Sequence, residues 1–469
     1  MGNISRITAL TGALALGGTA LLGGMTAQAA PIDGNQDGSI IVHKHVEDAA
    51  STEGNPAGAP LKGVEFSAQQ VLVDPDGAGP KLAGPIDMTT AEGWKLAEQV
   101  FASSAPTLPA GDATNGPVFS LATAAVQSTN ASGIATFSGL KLGAYLVTET
   151  GPGDNLIATA AAPFWVSVPM PTGDTAEWNY NVDVFPKNTL NDFTPTKEVT
   201  ATDRVDPDGK VEWTVTAPIP ASTLAYQSFS VSDPGAGGMT FDSFGDVTLN
   251  GTVLVSGTDY TVSGTSIEFT AAGLAKVNAI TTPATGTGAE ATVTVEVNTV
   301  VDEIPTNGAF NNTATVTLNG TPTLPSGTTN WGELLLNKTT SEDGSALGGA
   351  TFELYAADKV TKIAEGVTNA GGTLQFDVWV GNGTDVTEDF WLKETVAPAG
   401  HVLPANPWTE VTVNAGQATA ATVTIENHLA QGPNLPMTGG TGVALLTLAG
   451  VGVLSIAIVP MLRRKKASA

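Results

Sequence analysis

The chain has no cysteine in 469 residues, so disulfide staples are excluded and any bracing must come from other chemistry. Positive charge is scarce. Against 45 Asp and Glu stand 19 Lys and Arg, for a formal net charge of −26, which argues against a nucleic-acid partner because a phosphate backbone needs a basic face. The four histidines, His43, His45, His401 and His428, fall in no metal-ligand spacing, and no metal or other cofactor is expected. Asp203, Asp206 and Asp208 lack the alternate spacing and the following bidentate glutamate of a calcium loop, so residues 205–209 read as a hairpin turn. Long helical periodicities are nearly absent, whereas Gly, Pro, Thr and Val are plentiful, and all-β modules follow.

Long apolar runs occur only at the two ends. At the N-terminus, Arg6, the apolar stretch Ile7 to Leu22 and the small-residue site Ala27-Gln28-Ala29 read as a secretory signal peptide over residues 1–29. At the other end stand Leu435-Pro436-Met437-Thr438-Gly439, an apolar run over 441–462 long enough to cross a bilayer, and the basic tail 463–469 with Arg463, Arg464, Lys465 and Lys466. The simpler reading of that end alone is a single-pass membrane protein. Removing both ends deletes only basic charge, so the mature chain is more acidic still.

The length predicts two to four domains. Three stretches each open on a β-type run containing a lysine and close on one containing an asparagine: 30–189, 190–322 and 330–430. Alternation such as Thr292-Val293-Thr294-Val295-Glu296-Val297 predicts half-buried antiparallel strands, and the architecture expected is three tandem Ig-like β-sandwiches. One helix is predicted inside a long insertion of the first module. Thr89-Thr90-Ala91-Glu92 reads as a capping box ahead of Trp94, Leu96, Ala97, Val100 and Phe101, whose apolar face should dock on a sheet as a structural lid.

The motif Trp178-x-x-x-Val182-x-Val184-Phe185-Pro186-Lys187, followed far downstream by the Leu-Pro-x-Thr-Gly signal, resembles the backbone pilins of the Spa type, shafts assembled by sortases on Gram-positive bacteria; Phe185 stands where that family usually has Tyr. The resemblance implies that a class C pilin sortase cleaves between Thr438 and Gly439 within Leu435, Pro436, Thr438 and Gly439, and that Lys187 of another copy takes the Thr438 acyl group. Other copies of the chain, minor pilins, a housekeeping sortase and peptidoglycan are the partners it implies, with the product secreted and wall-anchored as a fimbrium. Independently, an amine nucleophile must be deprotonated, and apolar Val184, Phe185 and Pro186 favour loss of the Lys187 charge.

The third module looks like a Cna B-type domain, with an E-box running from Phe390 through Glu394 to Gly400 and His401 at its last position, where the pattern has Tyr. That likeness implies a spontaneous amide between Lys338 and Asn427 promoted by Glu394. In the second module it implies Lys197, Asp233 and Asn312, with Asn311 as the alternative to Asn312. In the first it implies Lys44, Glu149 and Asn188, although Thr148-Glu149-Thr150 lacks the family's tail. The expected role is a structural subunit rather than an enzyme with turnover. The alternatives are a single wall-anchored adhesin or minor pilin, and a surface glycosidase, for which no pair of acids stands in a recognisable catalytic setting.

Overall fold

The computed structural model describes residues 31–431 apart from 53, 75–82, 111–115, 173–176, 203–208 and 285–286. The signal peptide, the sorting motif with Thr438, the apolar run 441–462, the basic tail and the 205–208 turn lie outside the described residues. Among those described, no helix is long and apolar enough to cross a membrane. The chain is mostly β, with 54% of residues in strands and 6% in helices. It divides into two compact units, one built from residues up to 202 with 209–303 and 310–329, the other from 304–309 and 330 onward.

The first unit contains two sets of sheets. In the earlier set, Gly38–His43 lies between the parallel Asn181–Val184 and the antiparallel Ile134–Leu140. Facing it, Gly143–Gly151 pairs with Glu65–Asp74 on one side and with Phe164–Val168 at the edge on the other. Ile40, Val42, Phe66, Phe137, Val147, Val168 and Val182 fill the space between, all essentially without exposure. The chain leaves through Lys187–Leu190, held between His45–Val46 and Ile157–Thr159.

In the later set, Lys210–Ile219 and Ala291–Val301 form the centre of one sheet. The alternation predicted there is observed: Val293, Val295 and Val297 are buried while the intervening Thr292, Thr294 and Glu296 are half-buried. The second sheet is built on Phe229–Ser232, Thr315–Leu318 and Ser266–Phe269. The two sets meet through Ser222 Oγ to Ile157 O (2.7 Å), Asn191 Nδ2 to Ala221 O (2.8 Å) and Thr321 Oγ1 to Asp154 O (2.8 Å), which is why they cluster as one unit despite their separate cores.

The second unit is a sandwich. Ser326–Thr340 runs parallel to Gly416–Leu429 in one sheet, and the other has the order Lys362–Val367, Thr351–Ala356, Thr387–Val396, Trp408–Asn414. Leu334, Leu336, Phe352, Leu354, Phe390 and Leu392 form its core.

Helix α1, Ala91–Phe101, occupies the insertion and packs Ala97, Val100, Trp94 and Phe101 against Val71, Val73, Ile86 and Phe119. Its N-cap is Thr90, whose hydroxyl accepts from Gly93 N at 3.0 Å, one residue later than the Thr89 capping box implies. Asp87 explains the shift, because its carboxylate engages both Thr89 N (3.0 Å) and Thr89 Oγ1 (2.6 Å) and takes that side chain out of capping. A second helix, α2 (Ala271–Thr281), was not anticipated. Its run Ala-Ala-Gly-Leu-Ala-Lys-Val-Asn-Ala-Ile-Thr has too few large apolar residues to draw a stripe, yet Thr270 caps it through Gly273 N at 3.3 Å.

Candidate functional site

Three lysines are buried, Lys44 just after Gly38–His43, Lys197 near the start of Thr196–Thr202 and Lys338 near the end of Ser326–Thr340, which is costly unless a partner is present. Lys44 follows Gly38–His43, whose Ile40 and Val42 face the core, so alternation turns Lys44 inward as well. There its Nζ donates to Glu149 Oε2 at 2.8 Å and to Asn188 Oδ1, while Asn188 Nδ2 donates to Glu149 Oε1 at 2.5 Å. All three side chains are buried, and the amine, acid and amide close a triangle. Ala161 N adds a donor to Glu149 Oε2 at 2.9 Å, and the Phe66 ring lies 5.7 Å from Nζ. Desolvation lowers the Lys44 pKa to about 8 against the opposing pull of Glu149.

Lys338 and Asn427 lie on adjacent parallel strands in which Lys338 faces Ile425 and Thr340 faces Asn427. The asparagine thus pairs with the residue two beyond the lysine, on the same side of the sheet. The first cluster has the same offset, since Val46, two beyond Lys44, pairs with Asn188. Asn427 Nδ2 donates to Glu394 Oε1 at 2.6 Å, and Lys338 Nζ donates to Ile425 O at 2.9 Å. Glu394 Oε2 and Asn427 Oδ1 have no hydrogen-bond partner. Burial raises the Glu394 pKa and lowers that of Lys338, moving both toward their neutral forms.

In the middle set, Lys197 Nζ pairs with Asp233 Oδ2, both buried, with the Trp213 ring 4.9 Å from the ammonium. Desolvation again lowers the lysine pKa to about 8. Gly235 N donates to Asp233 Oδ1 at 3.0 Å. Asn312 is fully buried and neither of its side-chain polar atoms is hydrogen-bonded, so the structure joins only two members of this trio through hydrogen bonds. The adjacent-asparagine alternative separates by alternation: Asn311 is exposed and its Oδ1 accepts from Thr328 Oγ1 at 2.7 Å.

Lys187 begins the strand Lys187–Leu190, half-buried, directly beside Asn188. Val184 packs on the core, whereas Phe185 stacks on the His43 ring, with centroids 4.8 Å apart. Trp178, which opens the motif, stacks on Trp94 of α1 at 5.3 Å, a contact that sequence spacing could not supply. Among the described residues no group of three or more His, Asp or Glu is arranged to hold a metal ion.

A multi-sheet β-protein with buried lysine–acid–amide clusters and a lysine at the outlet strand is the class these features define. A family model described as "Gram-positive pilin subunit D1, N-terminal domain" matches residues 25–189, and one described as "Prealbumin-like fold domain" matches 332–428. The chain is 29% identical to a fimbrial subunit type 2 of Actinomyces naeslundii, covering 90% of this chain and 88% of the relative. It is 27% identical to a fimbrial subunit type 1 of Actinomyces viscosus, covering 96% and 95%. Among solved structures it is similar to the full-length major pilin SpaD of Corynebacterium diphtheriae, at 23% identity, a TM-score of 0.45 and coverage of 86% of this chain and 99% of that one. The chain is thus similar to the Gram-positive pilins, through a family model over its N-terminal residues and two fimbrial-subunit relatives matched along most of their length.

Proposed function

We propose that this chain is the repeating structural subunit of a covalently polymerised surface pilus, with Lys187 as the acceptor amine and Thr438 as the donor acyl group. The observation that carries the reading is the outlet strand Lys187–Leu190. Asn188 turns inward to the Lys44–Glu149 pair while its neighbour Lys187 does not, so successive residues serve the brace and the joint. In each joining step a class C sortase forms a thioester with Thr438 of one copy, the neutral Lys187 amine of the next attacks it, and the sortase thiol leaves as the amide forms. The last subunit passes to a housekeeping sortase and peptidoglycan. The chain is a substrate in these reactions and turns nothing over.

The shaft is braced by intramolecular amides from Lys44 to Asn188, Lys197 to Asn312 and Lys338 to Asn427, within three modules over 30–189, 190–322 and 330–430. Burial supports this chemistry. It favours a neutral lysine and, in the third cluster, a protonated Glu394, which lends its proton to the amide oxygen while the amine attacks the carbon and ammonia leaves. The unpartnered Asn312 amide fits the same account, since a buried amide left without hydrogen bonds is costly.

The test is Lys187→Arg in the native host. Guanidinium stays protonated and cannot attack a thioester, so the high-mass ladder on an immunoblot of wall extracts collapses to monomer. An unchanged ladder rejects Lys187, and a single monomer band from the unaltered chain rejects the polymer in favour of a lone adhesin.

A further inference from the structure

The parallel ladder between the first and last strands of the N-terminal set has a second face that the bracing chemistry does not use. One register runs through it, from Ser39 opposite Asn181 to Val42 opposite Val184, then His45 opposite Lys187 and Val46 opposite Asn188. Because side chains alternate, Val42, Lys44, Val184 and Asn188 share the core side. His43, His45, Asp183, Phe185 and Lys187 share the other. There His43 Nε2 is 2.7 Å from Asp183 Oδ1 and its ring stacks on Phe185 at 17° between planes, so His43 is committed and Phe185 is fixed. His45 is not committed. Its Nδ1 is buried without a hydrogen-bond partner, a condition that asks for an explanation. The residue directly across the ladder, Lys187, is a donor whose ammonium makes no hydrogen bond or ion pair among the described residues.

We infer that His45 is the general base for Lys187 during pilin joining, an inference that rests on Lys187 being the acceptor amine. The lone pair of neutral Lys187 Nζ forms a bond to the Thr438 carbonyl carbon of the acyl-sortase. The nitrogen thereby gains positive charge, and His45 accepts one of its protons. The carbon–sulfur bond then breaks, the amide is left neutral, and the sortase thiolate is reprotonated from water as His45 releases its proton. Lys187 lies one strand spacing from His45, about 5 Å across the sheet, within reach of a flexible lysine side chain. The charged groups around His45 are Lys187 across the ladder, His43 and Asp183 behind it on the same face, and Glu47 two residues on; Ala59 and Pro60, which flank its other side, bring none.

The experiment uses the purified mature chain, a class C sortase and a peptide containing Leu-Pro-Met-Thr-Gly, with Lys187→Arg as the control. General-base assistance contributes on the order of a hundredfold or more, so His45→Gln lowers kcat by about that factor at neutral pH with KM for the pilin unchanged. The wild-type pH–rate profile carries a limb that His45→Gln lacks. In His45→Gly, added imidazole restores product. Equal rates and profiles for wild type and His45→Gln overturn the inference while a dead Lys187→Arg leaves the joining site intact. A rate loss without a change of profile and without imidazole rescue assigns His45 a packing role and also overturns it. Product from Lys187→Arg overturns the acceptor assignment instead.

Discussion

Glu394→Gln tests the brace of the second unit with little change in side-chain volume. Glutamine retains an acceptor for Asn427 Nδ2, which Glu394 Oε1 now engages at 2.6 Å, but carries no acidic proton for the amide oxygen. The Lys338–Asn427 amide then fails to form, and intact-mass measurement finds the variant heavier than wild type by one ammonia after correction for the substitution. The amide closes a loop of about 90 residues, and in the chain-entropy model such a closure contributes about 4 to 5 kcal/mol. For a domain of about 100 residues that corresponds to a fall in melting temperature of about 20 to 30 °C. The loss falls in the unit that contains residues 330 onward, so calorimetry of the mature chain places the displaced transition there. A wild-type chain that carries its full unmodified mass while folded refutes the covalent brace, and so does a variant that has still lost that ammonia.

Deleting Leu435 to Gly439 leaves the chain in the membrane fraction without a ladder, and normal polymers from that variant remove Thr438 from the scheme. Asn188→Ala leaves Lys44 as a free buried amine, whose pKa burial holds at about 8 against 10.5 when unfolded. Between those values the unfolded chain binds more protons, so the stability of this variant rises with pH across that window; a flat or falling profile contradicts it. Gly93→Ala destabilises α1 although alanine is the better helix former by about 1 kcal/mol, because its Cβ would lie 1.8 Å from Asp87 O. A higher melting temperature for that variant refutes the clash.

The strands were legible because Thr and Val alternate through long runs such as Ala291–Val301, and burial follows that alternation residue by residue. The lysine positions were legible because each stands in the β-type run that opens a module, Lys44 after Ile40 and Val42 and Lys338 after Leu334 and Leu336. What the sequence left open depends on pairing between distant segments. The choice of Asn312 over Asn311 needed the facing of one strand, and the stack of Trp94 on Trp178 needed the docking of an insertion. Residue order does not place His45 opposite Lys187 either, although aligning the two strands so that Lys44 and Asn188 both face inward would have suggested it. Helix α2 escaped because small residues give a helix no hydrophobic stripe, and the exact N-cap of α1 turned on an Asp87 side chain that spacing rules ignore.

On the proposed joining through Lys187, its position on the outlet strand, after nearly all of the N-terminal set, would decide which part of each subunit bears tension. In a polymer joined from Thr438 to Lys187, pulling force enters through that side chain and leaves along Asn188 toward the later strands. Residues 31–186 hang from this line as a side branch. A protease cut within the insertion that contains α1 would leave the filament continuous from end to end, and the Lys44–Asn188 cross-link would keep the segment preceding the cut fastened to the line. This part of the subunit is therefore the place where long insertions cost the filament no strength.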